Sequence, residues 1–146
     1  MRKALVMMLV STALMAGCVP YPVYKKLQPA AMVTVRTAGN VPLAGAEVAL
    51  ITRAHPTTLE RHDTKMTAAD GSASFAGKRE MTVEVMVIHG SLDYYWNWCV
   101  RKEGYATFKT IYNSSDDFPA KMNVVLQPGA STPCRVSEIG FAPVNK

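Results

Sequence analysis

Hydrophobic and polar residues alternate in short runs over most of the chain after residue 31. Turn-forming pairs such as Gly39-Asn40 and Asp70-Gly71 separate these runs, and many of their apolar residues are β-branched. Alternation with a period of two is typical of β-strands, because successive side chains of a strand point to opposite faces. The pattern predicts strands at residues 32–37, 47–52, 61–67, 72–75, 81–89, 96–102, 106–112 and 121–127.

Short strands with turn residues between them favour an antiparallel β-sandwich of about seven to eight strands. The strongest predicted strand has Val83, Val85 and Val87 on one face. No run after residue 31 shows the 3.6-residue hydrophobic period of a long helix. The sequence therefore predicts an all-β sandwich domain over residues 32–128 and a C-terminal tail over residues 129–146.

The first residues have the pattern of a targeting segment. Arg2 and Lys3 precede an uncharged run over residues 4–16 that consists mostly of Leu, Val, Met and Ala. The run is shorter than the roughly 20 residues that cross a bilayer, and it suits the apolar core of a signal peptide. It leads into Leu-Met-Ala-Gly-Cys at residues 14–18, which resembles the lipobox of bacterial lipoproteins.

The lipobox resemblance implies a processed and lipid-anchored N-terminus. In that family the leader is cut immediately before the Cys, and the Cys thiol carries a diacylglyceryl group. The resemblance implies a signal peptide over residues 1–17, lipidation of Cys18 and a Pro-containing tether over residues 18–31. Val19, where an Asp would resemble an inner-membrane retention signal, favours the outer membrane facing the periplasm. An ordinary secretory signal and an uncleaved anchor are the alternatives.

The composition limits the function classes. The chain has 146 residues, a formal net charge of +5, 49% hydrophobic residues and 18% charged residues. These values are typical of one globular domain. Basic residues of the mature part occur at most in adjacent pairs, as in Lys25-Lys26, so we expect no nucleic-acid partner.

Four segments resemble, in their order along the chain, the carboxypeptidase regulatory-like domains. They are PLAGAEV at residues 42–48, TAADGSASF at residues 67–75, Gly104-Tyr105, and NVVLQP at residues 123–128. The resemblance implies a transthyretin-like, or prealbumin-like, sandwich. Because the family serves as a module in many envelope proteins, the resemblance implies no single activity.

The sequence does not favour an enzyme. Hydroxyisourate hydrolases resemble this fold but end in Tyr-Arg-Gly-Ser, whereas this chain ends in Phe-Ala-Pro-Val-Asn-Lys. Intradiol dioxygenases bind iron with two Tyr and two His, and this chain contains no Tyr-x-His pair. It also lacks the GxSxG, Walker A and GxGxxG motifs. We therefore predict no catalytic residue and no cofactor, with a small hydrolase as the remote alternative.

Candidate metal ligands are few. His55, His62 and His89 lack the HxH and HExxH spacings, so we expect solvated surface histidines. The Ser-Ser-Asp-Asp loop at residues 114–117 could hold a weak calcium ion, although a solvated loop is the expected structure. We predict no metal.

Cys99 and Cys134 remain once Cys18 carries lipid. An oxidising envelope compartment favours a disulfide between them, which would attach the tail to the strand carrying Cys99. The alternative is two free thiols, one buried and one in the tail.

An unusual concentration of aromatic residues, Tyr-Tyr-Trp-Asn-Trp, occupies residues 94–98. Alternation places Trp96 and Trp98 on one face of the strand and Tyr95 on the other. Either one face is core and the tail half covers the other, or part of the cluster is exposed for a protein partner or a glycan. The candidate binding residues are Tyr94, Tyr95, Trp96 and Trp98.

Together these features predict a non-catalytic lipoprotein of the bacterial cell envelope, held at the membrane by its lipid. It would act as a binding module or as an accessory or structural subunit, and its partner would be an envelope protein or the cell wall. The alternative is a periplasmic immunity or inhibitor-type lipoprotein that protects against a toxin.

Overall fold

The computed structural model describes residues 20–85 and 92–134, and its secondary structure there is all strand. The predicted all-β class is therefore confirmed for this part of the chain. The signal peptide, Cys18, residues 86–89 of a predicted strand and most of the tail lie outside it. The described residues form nine strands, which are β1 Pro20–Gln28, β2 Ala31–Thr37, β3 Glu47–His55, β4 Glu60–Met66, β5 Ser72–Phe75, β6 Lys78–Val85, β7 Asp93–Arg101, β8 Phe108–Lys109 and β9 Lys121–Leu126.

Seven of the strands form two sheets that share one apolar core. The three-stranded sheet has the order β5-β2-β9, and the four-stranded sheet has the order β4-β3-β7-β8. The arrangement is sandwich-like, as predicted, because alternate side chains of β2, β5 and β9 and of β3 and β7 enter the same core. The buried core side chains include Val33, Val35, Phe75, Val124 and Leu126 from the first sheet, and Val48, Leu50, Trp96, Trp98 and Val100 from the second.

One strand pair departs from the predicted antiparallel arrangement. Strand β2 pairs antiparallel with β5 but parallel with β9, in a register that places Val35 opposite Val124. Alternating hydrophobicity could not show this difference, because a strand presents the same two faces in either direction. The antiparallel prediction is correct for the four-stranded sheet and wrong for β2–β9.

The predicted Asp-Gly turn lies between β4 and β5. Gly71 has a φ of 77°, and a Cβ added to it would lie 2.4 Å from the carbonyl oxygen of Val35. The Asp70 carboxylate accepts a 2.9 Å hydrogen bond from the Ser72 amide. Only glycine fits this position, because it must adopt a positive φ and also let another strand's backbone approach closely.

Strands β1 and β6 form a separate two-stranded ribbon beside the sandwich. The sequence predicted a tether over residues 18–31, whereas residues 20–28 form a strand of this ribbon. Pro20 and Pro22 lack amide donors, but β1 pairs on one side only and proline is tolerated in such strands. The side chains of Met81 and Val83 are 59% and 63% exposed, so the sandwich does not cover this apolar face of the predicted strand.

The ribbon is attached to the sandwich by hydrogen bonds at its base. The Gln28 amide donates to Asp63 Oδ2 at 2.9 Å, and Lys78 Nζ pairs with the same oxygen at 2.7 Å. The Trp96 indole donates to the Leu27 carbonyl oxygen at 2.8 Å. The pKa of the Asp63 carboxyl lies below its usual 3.8, mainly because Lys78 donates a hydrogen bond to it and secondly because Gln28 does. Burial acts in the opposite direction and raises this pKa.

Cys99 and Cys134 form a disulfide, as predicted, with 5.7 Å between their Cα atoms. Both are buried, and they pack with Ala49 and Ile51 on the side of the four-stranded sheet that faces away from the core. The tail therefore covers part of this second face.

Removing the disulfide should destabilise the domain. Replacing Cys99 and Cys134 together by Ala should lower the free energy of unfolding by about 3–4 kcal/mol, the chain-entropy value for a loop of this length. Urea unfolding of the variant and of the reduced wild type checks this. A loss below about 1 kcal/mol in both would contradict a tail constrained through Cys134.

The Asp63 contacts predict a dependence on acid. Since the folded-state pKa lies below the unfolded value, the stabilisation is full above about pH 5 and is lost as the pH falls through the folded pKa. Asp63→Asn should lower the free energy of unfolding by about 0.5–1 kcal/mol at pH 7, because the ion pair is partly solvated. The difference should shrink at pH 3, and urea titrations at both pH values measure it. Asp117→Asn, in an exposed loop, is the control, and an equal Asp63→Asn loss at both pH values would refute the prediction.

Candidate functional site

An open cleft of about 630 Å³ lies between β1, the beginning of β7 and the loop over residues 113–116. Its volume is in the range of small-ligand sites. Both chain segments that the sequence analysis set apart, the aromatic cluster and the Ser-Ser-Asp-Asp loop, contribute to it. The lining residues are Lys25, Lys26, His55, Leu92, Asp93, Tyr94, Tyr95, Trp96, Asn113, Ser114, Ser115 and Asp116.

The aromatic wall of the cleft is the first part of β7. There Tyr94 and Tyr95 pair with Ala54 and Arg53 at the end of β3. Both tyrosines are half-buried. Because the ladder to β3 fixes their backbone, the rings are presented from a rigid element rather than from a loop.

Trp96 and Trp98 are core residues. The Trp98 ring is fully buried; it stacks on Phe118 at 5.3 Å between centroids and meets the edge of Phe75 at 5.6 Å. Its indole donates to the Pro119 carbonyl oxygen at 3.1 Å. Trp96 is 5% exposed and contributes only a small edge to the cleft. Phe75 and residues 118–119 cover Trp98, which leaves it no exposed surface, and a contact of Trp96 with a partner stays a prediction.

Asn97 positions the opposite wall, and the sequence analysis did not single it out. Its side chain is buried; Oδ1 accepts from the Tyr112 amide at 2.6 Å and from the Thr110 hydroxyl at 3.1 Å, and Nδ2 donates to the Tyr112 carbonyl at 3.1 Å. These bonds fix the backbone immediately before the loop over residues 113–116. The sequence feature that could have indicated this role is a polar amide side chain between two tryptophans of a predicted strand.

Two lysines supply positive charge at the cleft. Lys26 Nζ lies 6.0 Å from the centre of the Trp96 ring, within the range of a cation–π contact. Lys25 Nζ donates to the Leu92 carbonyl oxygen at 2.9 Å and also pairs with Glu84. Neither lysine was predicted as a site residue, because residues of a tether would have no fixed position.

The loop over residues 113–116 is held by local hydrogen bonds. The Asp116 amide donates to Ser114 Oγ at 3.2 Å, and the Ser115 hydroxyl donates to Asp116 Oδ1 at 3.4 Å. Within residues 20–85 and 92–134, no three His, Cys, Asp or Glu side chains form a group suited to a metal ion. His55 and His62 are exposed, and His89 lies outside the described residues.

The cleft thus combines two tyrosine rings, two ammonium groups, the carboxyl groups of Asp93 and Asp116, and several amide and hydroxyl groups. In the part of the chain that the structure describes, no hydrogen bond joins a serine hydroxyl to a histidine ring. The arrangement is suited to hold a polar ligand that also has apolar faces.

Comparison with known proteins identifies no relative. No family model matches the chain, and neither a curated protein nor a solved structure is significantly similar to it. Within the two described ranges, no helix is long and apolar enough to cross a membrane. Membership of the carboxypeptidase regulatory-like family stays a prediction.

The different burial of the aromatic residues predicts different costs of removing them. Trp98→Ala should lower the free energy of unfolding by about 3–5 kcal/mol, as expected for a fully buried large side chain. Tyr95→Ala should cost about 1 kcal/mol, because half of its environment is water. Urea unfolding of the two variants measures both values, and equal losses would contradict the assignment of Trp98 to the core and Tyr95 to the cleft.

Proposed function

We propose that the protein is a non-catalytic binding module of the bacterial cell envelope, anchored to the membrane by lipid on Cys18. Its partner binds in the cleft at the beginning of β7. The observation that carries the proposal is the convergence of Tyr94, Tyr95 and Lys26 at one open site. The leader pattern at residues 1–18 supports the location.

The construction of the cleft favours binding. Tyrosine rings offer large apolar faces and a polar hydroxyl at little conformational cost, which makes them effective recognition residues. Tyr94 and Tyr95 are held by the β3 ladder, and Asn97 holds the opposite wall. A pre-formed site loses less entropy when a ligand binds than a flexible one does.

The cleft also indicates a class of partner. Its lining includes the positive charge of Lys26, the negative charge of Asp116 and the two residues Tyr94 and Tyr95. A cell-wall glycopeptide matches this chemistry, because its sugar rings have apolar faces and its peptide carries carboxylates and amines. We therefore favour the cell wall over an envelope protein as the partner.

The proposal of a non-catalytic role rests on the chemistry that the cleft offers. Nucleophilic catalysis needs a nucleophile and a base within hydrogen-bonding reach of each other. The hydroxyls of Ser114 and Ser115 belong to a local turn with Asp116, and His55 is an exposed residue at the end of β3. These groups are suited to hydrogen bonding with a bound partner.

Binding to the isolated cell wall tests the proposal. Purified full-length protein in mild detergent should sediment with cell-wall sacculi, and Tyr94→Ser with Tyr95→Ser should weaken binding by about 10- to 100-fold. Tyr24→Ser, which removes an exposed tyrosine outside the cleft, is the matched control and should bind as the wild type does. Failure to sediment, or equal loss in the control, would contradict the proposal. A photocrosslinker at position 95 that captured only an envelope protein would show that the other partner class is correct.

A further inference from the structure

The ribbon has one apolar face that no described part of the protein covers. In the pairing register, Pro22 lies opposite Val83, and Tyr24 lies opposite Met81. Directly opposed residues of two strands share a face. These four residues are named the ribbon face here. All four are exposed, and the values for Tyr24, Met81 and Val83 are 75%, 59% and 63%.

A two-stranded ribbon with an exposed apolar face is an incomplete structure. Such ribbons are marginally stable in water unless a further layer covers them. The other face has that support in part, since Val23 and Thr82 are half-buried and Lys25 is hydrogen-bonded to Leu92. The ribbon face is therefore the side on which a covering layer is missing.

The charges of the ribbon are sorted between its two faces. Its two carboxylates, Glu80 and Glu84, both lie on the side opposite the ribbon face, and Glu84 is paired with Lys25. On the ribbon face itself, the next pair toward the sandwich is Lys26 opposite Arg79. The apolar face thus continues into positive charge and carries no carboxylate. This distribution is complementary to an anionic surface.

The position of the ribbon in the chain identifies that surface. Pro20 begins β1 two residues after Cys18, and two residues span at most about 7 Å of extended chain. A lipid on Cys18 would therefore hold the ribbon within a few ångströms of the headgroups. A diacylglyceryl group already anchors a protein stably, so a contact between the ribbon and the surface would fix the orientation of the protein.

We propose that the ribbon face lies on the bilayer surface, with Tyr24, Met81 and Val83 at the headgroup level. The proposal rests on the lipidation of Cys18 that is part of the proposed function. It adds a defined orientation, because a docked ribbon turns the sandwich as one body through the contacts of Gln28, Lys78 and Asp63. The cleft, which Lys26 of the same ribbon helps to line, would then keep a fixed position relative to the bilayer instead of rotating about the lipid.

Two methionines of equal exposure provide the test. Met81 on the ribbon face is 59% exposed, and Met66 at the end of β4 is 61% exposed. The acylated full-length product is reconstituted in vesicles of phosphatidylethanolamine with a minority of phosphatidylglycerol, and its N-terminal peptide is checked by mass. Dilute peroxide then oxidises both methionines to sulfoxides, and a bilayer-soluble carbene reagent labels residues in contact with lipid.

The expected result is that Met81 is oxidised about tenfold more slowly than Met66, the ratio for a docked population of about 90%. The carbene should label the β6 peptide and not the β4 peptide. Val83→Glu should bring the oxidation of Met81 to the rate of Met66 while the lipid keeps the protein on the vesicles. Val41→Glu is the matched control, since Val41 is 59% exposed and lies outside the ribbon.

Three results would overturn the proposal. Equal oxidation of the two methionines on an acylated protein would show that the ribbon stands in water, and the proposed function would be unaffected. Slow oxidation of Met81 without carbene labelling would show that protein covers the face, either a second copy or another part of this chain. An unmodified Cys18 with the protein absent from membranes would reject the docking and the anchored function together.

Discussion

Strand β7 is the element on which the rest of the molecule depends, because both of its faces are covered. One face places Trp96, Trp98 and Val100 in the core between the sheets. The other face holds Asn97 and Cys99, which fix the segment before the cleft loop and the tail. A sheet strand buried on both sides usually consists of apolar residues throughout. Here the second face is instead closed by one amide and one disulfide.

Both the cleft and the base of the ribbon lie beside the beginning of β7, where the strand is less well covered. At the beginning of β7 the coverage is incomplete, so Tyr94, which still packs against the core, and Tyr95 are half-buried. The Trp96 indole is nearly buried, and its donor reaches the Leu27 carbonyl oxygen at the base of the ribbon. The residue that closes the core therefore also attaches the ribbon. The cleft lies beside this contact, between β1 of the ribbon and the beginning of β7.

The sequence predicted well the elements whose side-chain alternation is local and strong. The strand at residues 72–75 agrees with β5, and the faces of the aromatic cluster and the pairing of Cys99 with Cys134 are as expected. The sequence did not predict the relative direction of paired strands, nor which layer of the protein covers each apolar face. Alternation is the same for a parallel and an antiparallel strand, and it marks Val83 as apolar-facing without showing what lies against it. Strand β1 at residues 20–28 was not predicted, because its prolines are unusual in strands. They are tolerated here because one edge of β1 is unpaired within the described residues.

The proposed function combines a lipid anchor at Cys18, the ribbon that begins two residues later and the cleft at the base of that ribbon. All three would act at one membrane surface, so the state of the N-terminus is the most direct test. Mass spectrometry of the protein purified from its native membranes should find a mature chain that begins at Cys18 and carries acyl groups. A chain that retains residues 1–17 with an unmodified Cys18 thiol would contradict the account.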